Sequence, residues 1–108
     1  MIDLAPEHLC KVIEILRQHL SACEVRVFGS RVTGKATTYS DLDLALVAER
    51  PVDWRKLEAL KDDFAESDLP MMVDILDWQS ISPEFRTVIE AGYEVIDLGR
   101  WSSHGSEN

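Results

Sequence analysis

The sequence is short of the residues that bind nucleic acid, cross membranes or build stapled scaffolds. Its two cysteines, Cys10 and Cys23, form no CxxC pair, and His8, His19 and His104 are scattered, so zinc-ligand spacing is missing. Two reduced thiols are expected, with a Cys10–Cys23 disulfide as the alternative. Positive charge is scarce: 11 Lys and Arg stand against 20 Asp and Glu, a formal charge of −9. Phosphate-backbone affinity comes from clustered Lys and Arg, which argues against nucleic acid or an anionic membrane as the main partner. A bound cation suits such a chain better. No apolar run approaches the ~18 residues of a membrane span, and Met1-Ile2-Asp3 opens without the pattern of a signal peptide. A cytoplasmic location is the expectation. Repeats and long linkers are also absent.

What remains is 108 residues, 45% of them hydrophobic, which is enough for one core and too little for a second substrate-binding domain. We expect one domain over residues 1–98 and a polar, mobile tail over 99–108. Leu9, Val12, Ile13, Leu16 and Leu20 recur at helical steps, placing an N-terminal helix over 5–21. Residues 24–28 are β-branched, aromatic and short, as a strand is. Gly29-Ser30 ends that strand, and residues 31–40 read as a loop with one helical turn. A strand follows from Asp41 to Val47. It is apolar on both faces apart from its aspartates, which makes it central. Asp53 caps a helix whose inward positions are Trp54, Leu57, Leu60 and Phe64. Met72 to Trp78 is a third strand. Ser82-Pro83-Glu84 opens a helix with Phe85, Val88 and Ile89 inward, and Tyr93 to Ile96 closes the set. The fold class is therefore α/β (α+β): a mixed sheet of about four strands flanked by helices, with the catalytic core over 24–97.

Three features at strand ends converge if those strands are neighbours. Gly29-Ser30 lets the chain turn sharply, so that backbone N–H groups and the Ser30 hydroxyl can face one anion. The plain alternative is an ordinary turn. Asp41 and Asp43 share a strand face with α-carbons about 6.5–7 Å apart. Two carboxylates side by side repel, one tends to keep its proton, and a divalent ion removes the conflict. Asp74, between Val73 and Ile75, is out of place as mere surface decoration. Asp77, on the opposite face, reads as solvent-facing or capping. The acidic run Asp62, Asp63, Glu66 and Asp68 reads as a solvated helix face and turn.

Val27-Phe28-Gly29-Ser30-Arg31-Val32-Thr33-Gly34 and Ser40-Asp41-Leu42-Asp43-Leu44-Ala45 resemble the nucleotidyltransferase superfamily that includes DNA polymerase β. The match is closest to the minimal nucleotidyltransferase (MNT) proteins, and Ser67-Asp68-Leu69-Pro70 with Val73 to Trp78 is similar to them as well. The resemblance runs from about Val25 to Ile96. It implies that Gly29 and Ser30 bind the triphosphate of ATP or another nucleotide. Asp41 and Asp43 would carry two magnesium ions, and Asp74 would complete the metal site and help activate the acceptor hydroxyl. Two metals about 3.5–4 Å apart suit an attack at the α-phosphorus, because they hold both the entering and the leaving oxygens. Arg31 is a candidate for the β- or γ-phosphate, with Lys35 a weaker one. Tyr39 is the candidate for ring contact, and Ser40 is a turn residue holding Asp41.

A chain without an acceptor-binding domain needs its acceptor from elsewhere. The resemblance implies a small helical HEPN-type partner in a toxin–antitoxin pair, with AMP passed to one of that partner's tyrosines. The alternatives are a non-catalytic module that neutralises the partner by contact, and transfer to a small hydroxylated molecule held with a partner subunit.

Overall fold

The computed structural model describes residues 2–20, 23–37 and 40–98. Tyr39 and the tail over 99–108 lie outside the described residues. Pro6 starts helix α1 (Pro6–His19), where its missing N–H costs nothing. The helix stops at Leu20, which is extended, so it is shorter at both ends than the periodicity predicts. Strand β1 (Glu24–Phe28) leads through Gly29 into a single turn, α2 (Ser30–Thr33), closed by left-handed Gly34. Then come β2 (Leu42–Val47), α3 (Trp54–Glu66), β3 (Val73–Asp77), a 3-10 turn (Trp78–Ser80), α4 (Pro83–Glu90) and β4 (Glu94–Asp97).

The four strands lie in the order β3-β2-β1-β4. β1 is antiparallel to β2 and β4, whereas β2 and β3 are parallel, the crossover between them being α3. The sheet is mixed and β2 is central, as its two apolar faces require. On one face Val25, Val27, Leu42, Leu44 and Leu46 pack with Val12, Ile13, Leu16, Leu60 and Phe64 of α1 and α3. Removing one such leucine side chain costs about 2–5 kcal/mol, so this layer sets the stability of the chain. On the other face a smaller cluster forms around Ala45, Trp78 and Ile89, with Phe28, Phe85 and Tyr93 against it. There the Arg26 guanidinium lies between the Trp78 and Tyr93 rings, 4.6 and 4.5 Å from their centroids, and its Nε donates to Glu24 Oε2 at 2.6 Å.

Several expectations are corrected. Trp54 is 67% exposed, not core. Residues 53–56 are all exposed, so the first turn of α3 stays out of the core, and the indole is met by the Arg55 guanidinium, 5.5 Å from its centroid. Val88 is 63% exposed, because Arg86 takes the inward place beside Phe85 and Ile89. Arg86 donates twice to the Trp78 carbonyl, at 3.0 and 2.8 Å, and stacks over its ring. Ile15 is buried although the N-terminal stripe omits it, since that flank of α1 faces α3. One turn further on, His19 pairs with Asp63, so this side chain, 43% exposed on the solvated face, also bridges two helices. Trp78 belongs to the 3-10 turn rather than to β3, and β4 is shifted one residue on, to Glu94–Asp97. Asp77 is 7% exposed and far from solvent-facing. Its carboxylate caps the 3-10 turn at Gln79 N (3.1 Å) and accepts from Val52 N (2.9 Å) and Ser80 Oγ (3.3 Å). Both cysteines are free thiols.

Candidate active site

The parallel register of β2 and β3 sets Asp43 opposite Asp74. Neighbouring strands lie about 4.8 Å apart, so the two side chains leave the same face of the sheet side by side. Asp41 lies just ahead of β2, near enough for its charge to act on Asp43. Asp41 and Asp74 are exposed and Asp43 is half-buried. Burial, then the charges of Asp74 and Asp41, push the Asp43 carboxyl above its ordinary value. The repulsion anticipated from the Asp-x-Asp spacing is thus present and falls mainly on the middle carboxylate.

The turn between β1 and α2 closes over this group. Phe28 pairs with Asp43, which brings the next residue, Gly29, directly against the Asp43 side chain. A Cβ on Gly29 would overlap Asp43 Oδ2 and lie 3.4 Å from its Cγ. Gly29 also has φ +83°, where side chains are disfavoured. Two independent constraints therefore demand glycine here, one from the backbone and one from the carboxylate. The Gly29 carbonyl accepts from Val32 N (3.0 Å) and Thr33 N (3.1 Å), which fixes the turn and holds Ser30 at its head.

Arg31 is placed otherwise than expected. It is 6% exposed, and its guanidinium is committed to backbone carbonyls. Nη1 donates to Asp3 O (2.8 Å), while Nε and Nη2 donate to Ser40 O at 3.1 and 3.0 Å. Asp3 N in turn donates to the Arg31 carbonyl at 2.7 Å. Arg31 therefore pins the loop from α2 to β2 onto the residues before α1. Ser40 behaves as the turn residue it was read to be, its hydroxyl accepting from Thr37 N at 2.8 Å. Lys35 is exposed. The sequence carries no signal for the Asp3–Arg31 pairing, which joins residues 28 positions apart through the backbone.

The donor chemistry fits a hard divalent cation, since Asp43 and Asp74 share one face, Asp41 is near, and burial followed by these neighbouring charges disfavours the charged form of Asp43. Yet among the described residues no three His, Cys, Asp or Glu side chains form a ready-made cage for a metal ion. Phosphate oxygens and water would complete the shell, as they commonly do around magnesium. A concavity of about 950 Å³ lies at the opposite end of β2 between Leu20 and Asp53, and holds none of these residues. The sheet end with the carboxylates has the chemistry, whereas that concavity offers only volume.

A small mixed sheet with a tight glycine turn against clustered carboxylates belongs to a class of phosphate-handling transferases. Comparison with known proteins makes the class specific. The family model "Polymerase beta, Nucleotidyltransferase" matches residues 10–97, and the chain belongs to that family. It is 48% identical over 95 residues to the "Probable protein adenylyltransferase MntA" of Haemophilus influenzae, covering 88% of this chain and 83% of that one. Among solved structures it is similar to a chain of a toxin–antitoxin crystal structure with AMP-PNP, at 26% identity and TM-score 0.67, over 80% of this chain and 69% of that one. It is also similar to a chain of the tri-AMPylated Shewanella oneidensis HEPN toxin in complex with MNT antitoxin. That match is 26% identical with TM-score 0.61, over 80% of this chain and 66% of the other. Among the described residues no helix is long and apolar enough to cross a membrane.

Proposed function

We propose that this nucleotidyltransferase moves AMP from ATP onto a tyrosine hydroxyl of a HEPN-type partner protein in the cytoplasm, and so acts as the antitoxin of the pair. The observation that carries the reading is the register pairing of Asp43 with Asp74 beside the Gly29 turn. The relatives named above supply the nucleotide and the partner class.

In this reading Gly29 and Ser30 hold the triphosphate tail, and Asp41, Asp43 and Asp74 hold two magnesium ions. Those ions, when bound, neutralise charge on the entering and leaving oxygens and lower the pKa of the acceptor hydroxyl. The acceptor oxygen attacks the α-phosphorus and a new O–P bond forms. The bond from that phosphorus to the α,β-bridging oxygen breaks, and pyrophosphate leaves with the electron pair. The hydroxyl proton passes to the exposed Asp74 carboxylate and on to solvent. Arg31 supports the turn through its bonds to the Asp3 and Ser40 carbonyls.

The test is mass spectrometry of the partner after incubation with ATP and magnesium. The expected result is an AMP adduct of tyrosine that is lost with Asp43→Ala. No adduct, with wild type matching the variant, would leave only partner binding.

A further inference from the structure

β3 carries Asp74 and is also an edge strand. Among the described residues nothing pairs with it on the side away from β2. Leu42 N donates to Met72 O, which fixes the alternation: the main-chain groups of residues 72, 74 and 76 face β2. Those of Val73 and Ile75 then face outward. Natural edges are usually blunted by lysine, proline or an inward charge. Between Val73 and Asp77 there is neither lysine nor proline, and the two charges are Asp74 at the site and the buried cap Asp77.

A groove of about 680 Å³ runs along this edge, between β3 and the C-terminal part of α3. Phe64, Leu69, Met72 and Leu76 contribute apolar surface to it, and Asp74 stands on its wall. Met72 is 71% exposed, which is unusual for a large apolar side chain beside a reactive centre. Lys61 lines the groove on its α3 wall across from Asp74, whereas Glu66 and Asp68 border a separate hollow against α1.

We propose that the acceptor segment docks as an added strand on the open edge of β3, with its hydroxyl-bearing residue opposite Asp74. The proposal rests on the transfer reading above and names how that site takes its substrate. An added strand lies about 4.8 Å from β3 and follows its pleat. A residue level with Asp74 therefore puts its side chain on the face that Asp43 and Asp74 share. Main-chain bonds to Val73 and Ile75 supply affinity without reading sequence. Alternate side chains fill the apolar groove. The occupant is thus an extended, hydroxyl-bearing segment of the acceptor protein.

Residue-resolved amide exchange by NMR tests this, comparing the free chain with its complex with the HEPN-type partner and a non-hydrolysable ATP analogue. In the free chain Val73 and Ile75 amides exchange at least tenfold faster than those of Asp74 and Leu76. In the complex Val73 and Ile75 slow at least tenfold while the other two change little. Unchanged Val73 and Ile75 amides, equal slowing of all four, or protection already in the free chain each overturns the proposal. AMP-adduct formation, measured with ATP in a parallel sample, keeps the two readings apart. Adduct without selective protection removes the docking mode and leaves transfer standing, whereas selective protection without adduct does the reverse.

Discussion

At the scale of single residues, the Gly29–Asp43 approach is the tightest constraint in the molecule, and it makes a sharp expectation. Gly29→Ala forces a side chain into positive φ and into the Asp43 carboxylate. A loss of about 1–3 kcal/mol in urea unfolding is expected from the backbone strain. Transfer activity should fall at least tenfold, because the carboxylate must move. Asp43 itself titrates above its ordinary value when folded. A raised carboxyl contributes stability that is fully present below its unfolded pKa and is lost as pH rises through the folded one. At pH 7 Asp43 therefore strains the cation-free fold. In EDTA, Asp43→Asn should raise Tm at pH 7, on a scale of about 4–8 °C per kcal/mol, with the gain shrinking towards pH 4. Activity should be lost in the same variant. The aspartates are legible in the sequence because carboxylates at period two in an apolar strand are costly to fold away unless a cation shares their charge. Arg31 is not legible in the same way. A charged residue after a phosphate-type turn invites a phosphate, whereas its partners are carbonyls that carry no sequence mark.

At the scale of elements, the strands are legible and the helix faces less so. β2 announces itself by leucines on one face and by Asp43, which interrupts the other. α3 and α4 follow the helical period, but the period does not say where a helix overhangs the sheet or which flank turns inward. Trp54 and Val88 depart from the expected core for those two reasons. Asp77 shows how one side chain ties elements together, since its carboxylate joins the end of β3 to the segment leading into α3. Asp77→Ala leaves the Val52 and Gln79 amides without their acceptor. It should cost about 3 kcal/mol in chemical denaturation, from desolvated donors and a lost cap together. A change below about 0.5 kcal/mol would show that water replaces the carboxylate.

At the scale of the whole molecule, the charge of −9 acquires a narrower meaning. Part of it is concentrated where a dication and a nucleotide would meet. Ligands that bind only the folded state stabilise it by mass action, about 2.7 kcal/mol at a hundredfold excess over Kd. Magnesium with ATP should therefore raise Tm of the wild type and leave Asp41→Asn unmoved in differential scanning fluorimetry. An equal rise in both would place the cation elsewhere. The reciprocal bonds between Asp3 and Arg31 carry a practical consequence. Any fusion partner joined just ahead of residue 2 pulls on the same clamp that supports the Ser30 turn, so an affinity tag at that end would disturb nucleotide handling without touching an aspartate. A tag following residue 108 acts on no bond of that clamp.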